Sequence, residues 1–332
     1  MIEAQRLTKR YPDATAVDGV SFTIRPGIVT GFLGPNGAGK STTMRMIMGL
    51  DRPTAGTVTV NGTSYARFRA PLGEVGALLD AKAVHRGRSA ENHLLSLAAT
   101  HGIARRRVHD VIEATGLSTV ARKRVGTFSL GMGQRLGIAA ALLGDPQTLI
   151  LDEPVNGLDP EGVLWVRTLL RGLAAEGRTV FLSSHLMSEM ALTADHLVIL
   201  GRGRVIVDAP TREVVGRAQK AAVQVTTPMG AELERVLLRH PGVSVVVIDR
   251  GILEVTGIDA PRIAAAASVE GIVLHGLAPV HVSLEEAYMQ LTADAVEYRS
   301  SSDLTDRVDS TDPARPDPSG PVSHDRTTGG SR

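Results

Sequence analysis

Residues 34–42 read Gly-Pro-Asn-Gly-Ala-Gly-Lys-Ser-Thr and follow an apolar stretch, residues 28–33, with the length and character of a buried strand. Residues 40–50 then place Met44, Ile47 and Met48 at helical spacing. A strand that runs through three glycines into a helix leaves few folds open. Gly34, Gly37 and Gly39 let successive backbone N–H groups surround phosphate oxygens, and the start of the helix adds its partial positive charge. Lys40 supplies a full positive charge to the outer phosphates, and the Ser41 hydroxyl is placed to ligate Mg²⁺. The pattern specifies a nucleotide cradle on an α/β scaffold.

Two further segments refine this. Residues 148–154 read Thr-Leu-Ile-Leu-Asp-Glu-Pro, an apolar strand ending in two acids. Asp152, at the strand end, is the natural partner of Mg²⁺, directly or through water. Glu153, one residue on, can point to the other side and polarise an attacking water. Taken alone, this would be a strand followed by a charged turn; the lysine-bearing loop upstream makes it chemistry. Between the two lie residues 128–135, Phe-Ser-Leu-Gly-Met-Gly-Gln-Arg. A serine hydroxyl and a glycine N–H at a helix start, Ser129 and Gly131, form an anion site, although an isolated serine there is ordinarily just an N-cap. The segment is too far along the chain to join the glycine loop. Its position between the other two points to an ATPase whose middle segment touches a nucleotide held by another copy.

Composition narrows the class. The 332 residues are 43% hydrophobic, enough for a substantial core. The net charge of +1 gives no general attraction to nucleic acid or anionic membrane, so no nucleic-acid partner is expected. With no cysteine, thiolate metal sites and disulfides are excluded. The first residues enter a strand-like pattern with no basic start and apolar stretch, so no secretory leader is expected. No apolar run approaches the ~18 residues of a membrane span, which predicts a cytoplasmic chain.

Along residues 1–217, strands alternate with helices, the pattern of a largely parallel sheet covered by helices. Strands are expected at 15–25, 28–33, 56–62, 148–151, 179–183 and 197–200, and helices at 40–50 and 161–175. Residues 92–101, 105–114 and 130–143 read as successive helices with no strand between, a helical subdomain inserted at about 88–145. Residues 221–294 read as a small α+β domain. Residues 296–332 are rich in Pro, Asp and Ser and poor in apolar groups, and are expected to be disordered.

Taken together, these motifs closely resemble the nucleotide-binding subunit of ATP-binding cassette (ABC) transporters, over roughly residues 1–217. Tyr11 matches the aromatic that stacks on adenine. Gly34, Pro35, Asn36, Gly37, Ala38, Gly39, Lys40, Ser41 and Thr42 match the Walker A loop. Ser129 and Gly131 lie in the family signature, followed as usual by Gln134 and Arg135. Asp152 and Glu153 match the Walker B aspartate and catalytic glutamate, residues 156–159 the D-loop with Asp159, and His185 the switch histidine. The resemblance implies ATP and Mg²⁺ as cofactors, a head-to-tail homodimer with each ATP between one Walker A loop and the other copy's Ser129, and a separate membrane permease. It places the chain peripherally on the inner face of the cell membrane. The sequence departs from the family pattern in four places: Asp80 stands where a metal-sensing glutamine is usual, Leu130 where the signature has glycine, Met132 where it often has glutamine, and Asn156 where the D-loop has serine. A shorter, charged Asp80 could still reach Mg²⁺ through water.

The stretch from Val282 to Met289, ending in Leu291-Thr292, is similar to the C-terminal segment of drug and antibiotic exporter ATPases, as is the stretch from Ala83 to Leu94. The same Ser283 and Glu286 would serve equally as a capping box on an amphipathic helix. The reading that results is an ATPase driving export of a hydrophobic or amphipathic compound. The alternatives are a soluble ABC ATPase and a nucleotide-gated regulatory subunit. The first usually carries two cassettes or a long coiled-coil insertion; Glu153 and His185 argue against the second.

Overall fold

A computed structural model describes residues 1–81, 83–218, 222–280 and 283–292. Met1–Val296 form one compact unit. The tail expected to be disordered, residues 296–332, lies outside the described residues.

The chain opens with an antiparallel pair, β1 (Ile2–Tyr11) and β2 (Ala14–Ile24). Next come β3 (Val29–Leu33), α1 (Lys40–Ile47) and β4 (Ala55–Val60), which returns to pair with β1. A single turn, α2 (Pro71–Glu74), leads into β5 (Val75–Leu78). Then α3 (Ala90–Thr100), α4 (Arg105–Ala114) and α5 (Leu130–Leu142) follow with no strand between them. The alternation resumes with β6 (Thr148–Leu151), α6 (Pro160–Ala175), β7 (Thr179–Ser183), α7 (Met187–Thr193), β8 (His196–Gly201), β9 (Arg204–Pro210) and α8 (Thr211–Ala218).

Six of these strands form one sheet in the order β5-β6-β7-β3-β8-β9, parallel except for β9. Every residue of β3, β6 and β7 is buried, which explains their unbroken apolar runs: a parallel strand covered on both faces has no solvent side to mark. On one face, Phe22, Phe32 and Phe181 form a ring cluster with centroids 4.9 to 5.9 Å apart, packed with Met44 and Ile47 of α1 beneath the three-stranded sheet β2-β1-β4. On the other face, Leu94, Val111 and Leu136 of the helical insertion share a core with Leu149 and Leu170. Truncating any one of these fully buried leucines costs about 2–5 kcal/mol.

The second region holds β10 (Ala222–Thr226), α9 (Gly230–Leu237), β11 (Ser244–Asp249), β12 (Ile252–Thr256), α10 (Ala260–Val269) and β13 (Gly276–Pro279). Its sheet runs β11-β12-β10-β13, all antiparallel, the split βαβ arrangement. Val225, Leu233, Leu253, Val255 and Ile263 form a core that shares no residue with the other two. The final helix, α11 (Leu284–Thr292), begins with the capping box read from the sequence. Glu286 N–H donates to Ser283 Oγ at 3.1 Å, and Ser283 N–H donates to a Glu286 carboxylate oxygen at 2.8 Å. Leu284, Ala287 and Tyr288 pack into the core of the larger region, alongside Met190 of α7 and Val214 of α8, rather than into the small one.

The strand order has one functional consequence. The C-terminal ends of β6, β7 and β3 lie side by side, and each runs into one of the segments singled out by sequence. Ligands of open α/β sheets sit at this edge.

Candidate functional site

The glycine loop joins β3 to α1. Gly39 is the residue before the helix, with φ +98°. A side chain there would meet both a left-handed backbone and the Ala16 carbonyl, so only glycine fits. Thr43 closes the first turn, its N–H and Oγ1 both donating to the Gly39 carbonyl at 2.9 and 2.8 Å. The preceding N–H groups at the start of α1 have no partner within the helix. Lys40 Nζ donates to the carbonyls of Gly34 at 2.6 Å and Pro35 at 3.2 Å, which holds the ammonium over the loop. Burial pulls this ammonium below the ordinary lysine value, against the opposing influence of Glu153 and Asp152. Ala38 is buried and anchors the loop to the core beneath.

Ser41, Asp152, Ser183, Glu153, Gln134 and His185 form one hydrogen-bonded cluster. Ser41 Oγ donates to Asp152 Oδ2 at 2.7 Å. The other Asp152 oxygen accepts from Ser183 Oγ at the end of β7. Asp152 N–H donates to the Leu78 carbonyl at 2.7 Å, extending the β5–β6 ladder by one residue. Glu153 then turns sharply away, with φ +51°, an uncommon backbone for a side chain of this size. Two buried neighbours secure it. Glu153 N–H donates to Ser183 Oγ at 3.0 Å, and Gln134 of α5 donates to its carbonyl at 2.7 Å. Its carboxylate reaches His185, with Nδ1 and the backbone N–H 2.8 and 3.3 Å from Oε2. Residues 156–159 follow from the same turn, Asn156 N–H donating to the Glu153 carbonyl.

Ser129 lies elsewhere. Its hydroxyl accepts from Met132 N–H at 3.2 Å and caps α5. Gly131 packs so closely on the D-loop that an added Cβ would stand 2.8 Å from the Gly157 carbonyl. Arg135 of the same helix stacks on Trp165 of α6, 4.5 Å from the ring centroid. Asp159 caps α6, accepting from Gly162 N–H at 2.9 Å, and is exposed. Among the described residues, no hydrogen bond or ion pair joins Ser129, Gly131 or Asp159 to residues 34–42. Tyr11 ends β1, 45% exposed, with Lys9 Nζ 5.1 Å from its ring centroid. Asp80 is exposed, two residues beyond β5 at the strand end next to Asp152.

The donors present fit a magnesium nucleotide. One carboxylate and one hydroxyl, Asp152 and Ser41, offer the few protein oxygens that Mg²⁺ needs when phosphates and water complete its shell. Among the described residues, no group of three His, Cys, Asp or Glu side chains could enclose a metal by itself.

The family model described as ABC transporter matches residues 17–156. An ABC transporter ATP-binding protein of Bacillus subtilis is 42% identical over 209 residues, 62% of this chain and 68% of that protein. A bacitracin transport ATP-binding protein of Bacillus licheniformis is 40% identical over 223 residues, 66% of this chain and 73% of that protein. The chain belongs to the ABC transporter ATP-binding family. A lantibiotic transport ATP-binding protein of Streptococcus pyogenes is 35% identical over 63% of this chain and 90% of its own length. Among solved structures, an ATP-binding subunit of an ABC transporter overlays with a TM-score of 0.60 at 27% identity, covering 65% of this chain and 92% of that one. A dimeric bacterial ABC transporter cassette overlays at 0.59 with 25% identity, covering 64% and 99%. This ABC ATPase therefore binds and hydrolyses ATP in the service of transport. Among its described residues, no helix is long and apolar enough to cross a membrane. Residues 221–285 match a separate family model described as a domain of unknown function.

Two residues of the cluster have roles that the sequence does not mark, Ser183 not being singled out and Gln134 being read only as following the signature. Ser183 and Gln134 act only through neighbours brought together by β6–β7 pairing and by the packing of α5. The one available signal for Ser183 is a hydroxyl closing a wholly buried strand beside the acidic one.

Proposed function

We propose that the chain is the ATPase subunit of an exporter for a hydrophobic or amphipathic compound of the drug, antibiotic or lipid type, working through a separate permease at the inner face of the cell membrane. Two copies pair head to tail. The observation that carries the pairing is the separation of the two anion sites: Lys40 and the glycine loop gather with Asp152 and Glu153, while Ser129 and Gly131 sit against their own D-loop. A triphosphate in the loop is thus completed by the Ser129 helix of a second copy, with Asp159 beside it coupling the two sites. The bacitracin and lantibiotic transport relatives support the cargo class.

In this reading, residues 34–42 hold the phosphates through backbone N–H groups, Lys40 neutralises the outer ones, and Tyr11 stacks on the adenine. Ser41 and Asp152, with Asp80 through water, would hold Mg²⁺, which would offset the charge of the phosphates. Glu153 accepts a proton from water as the water oxygen attacks the γ-phosphorus and the bond to the ADP oxygen breaks. His185 keeps Glu153 oriented and contacts the γ-phosphate. Ser183 fixes both acids by accepting from one and donating to the other.

The test is Glu153→Gln, which keeps the side chain's size and removes the proton acceptor. Phosphate release should fall at least about a hundredfold, and ATP should trap an association in size-exclusion chromatography beyond any that the nucleotide-free chain shows. Hydrolysis at the parental rate would remove Glu153 from the chemistry. Failure to trap that association with ATP would count against the pairing.

A further inference from the structure

The small sheet has two edges, and they are built differently. The β13 edge is four residues long, starts at Gly276 and ends at Pro279, which cannot donate to a further ladder. The β11 edge is six residues long and reads Ser-Val-Val-Val-Ile-Asp. It contains no proline or lysine, and its one irregularity is a bulge at Ile248, between Val247 and Asp249, near its C-terminal end.

The side chains of β11 depart from what a one-sided sheet requires. Val247 stands opposite Leu253, on the face covered by α9 and α10, and Val246 stands opposite Glu254, on the open face. The inner strands follow the rule, with buried Val223, Val225, Leu253 and Val255 on the helix side and Gln224 and Glu254 on the other. Such a sheet alternates apolar and polar residues. In β11, Val246, Val247 and Ile248 are all apolar and 53%, 59% and 56% exposed. Apolar side chains exposed on both faces of an edge suit a strand that is interior to a larger sheet.

We propose that β11 is an interface at which two copies of this chain join edge to edge, continuing the four-stranded sheet into one of eight. A two-fold axis normal to the sheet pairs the strands antiparallel and sets one residue opposite itself. With Val246 at the axis, Val246 meets Val246 and Val245 meets Val247 on both sides, ahead of the bulge at Ile248. No charge lies within the paired stretch, since Asp249 and Arg250 fall beyond it. Matching β-branched pairs stabilise antiparallel ladders. The chain's own residues 300–332 offer no comparable apolar run to cover the edge. This assigns a role to the region that matches a domain of unknown function. It does not depend on ATP-driven pairing of the larger region.

The test uses the full chain without nucleotide, in sedimentation velocity over a concentration series. The parent should form a discrete dimer. Val246→Lys places two like charges opposite each other at the axis and should weaken the dimer about tenfold or more, while leaving ATP affinity unchanged. Because Val246 is exposed, the variant should fold, and its thermal unfolding checks this. Mixing Val246→Lys with Val246→Glu should restore a one-to-one dimer, which a misfolded protein could not do. A Ser129→Glu variant, which breaks the proposed ATP-bridged contact, should keep the nucleotide-independent dimer. A monomeric parent, open-ended oligomers, association only in the presence of a permease, or failure of the mixed variants to pair would each overturn the proposal.

Discussion

Ser183→Ala tests the least obvious member of the site. The hydroxyl is fully buried, donates to Asp152 and accepts from Glu153 N–H at 3.0 Å. Removing it deletes one hydrogen bond to a carboxylate, worth about 1.5–3 kcal/mol, and leaves a buried N–H unsatisfied. Glu153 sits at φ +51°, a conformation that costs about 1–3 kcal/mol and persists only while its surroundings enforce it. With Ser183 gone, the backbone of the turn keeps Gln134 and Asn156, and the carboxylate keeps His185. We expect the unfolding free energy, measured by urea titration, to fall by about 2 kcal/mol. We expect kcat for phosphate release to fall by roughly ten- to a hundredfold, equivalent to about 1.4–2.8 kcal/mol of lost transition-state stabilisation. The glycine loop is untouched, so KM for ATP should change by less than about threefold. A Ser183→Thr variant, which restores the hydroxyl, should recover part of kcat. If kcat stayed within about twofold of the parent while stability fell as expected, Ser183 would be a packing residue only, and the account of how Glu153 is positioned would be wrong.

Two further perturbations act on the glycine loop. Gly39→Ala puts a Cβ against the Ala16 carbonyl at φ +98°; calorimetric titration should show loss of ATP-analogue binding, with the unfolding free energy lowered by about 2 kcal/mol or more. Lys40→Met probes protonation. Burial lowers the folded-state lysine value below 10.5, so the unfolded chain binds more protons between those two values and parental stability rises with pH across that window. The stability difference between Lys40→Met and the parent should therefore shrink as pH rises toward 10.5; a gap constant with pH would contradict the burial account.

The contiguous parts of the site were legible because their chemistry is local. A loop that must present backbone N–H groups needs glycines at fixed spacing, and Gly34, Gly37 and Gly39 supply them. An acid at a strand end needs an apolar run before it, and residues 148–151 supply that. Strand and helix limits in the parallel sheet agreed to within a residue or two for β3, β6, β7 and α6, since continuous burial leaves an unambiguous apolar run. Ser183 was not singled out, and the contact of Gln134 with Glu153 was not foreseen, because their partners are set by β6–β7 register and by the docking of α5, which no single segment encodes. The sequence reading left β9, α7, α8 and β13 unassigned. β9 runs antiparallel at the sheet edge with one side solvated, α7 is only seven residues long, and β13 carries Gly276 and Pro279, which argue against a strand anywhere but an edge. Residues 284–292 were correctly read as a capped helix, but its apolar face packs into the larger core, and a choice between two neighbouring cores is not written in periodicity.

The central claim is that each ATP is shared between two copies, and complementation between two crippled variants measures this directly. Lys40→Ala removes the loop cation, and Ser129→Glu places a negative charge where the second copy should meet the phosphates. In a mixed pair, one site joins the intact loop of the Ser129→Glu chain to the intact Ser129 of the Lys40→Ala chain, and the other site carries both defects. Each variant alone should release almost no phosphate. An equal mixture should recover activity toward a quarter of the parental rate per chain, because half of randomly formed pairs are mixed and each has one of two sites intact. Parental activity in Ser129→Glu alone, or no recovery on mixing two folded variants, would contradict a site built from two chains.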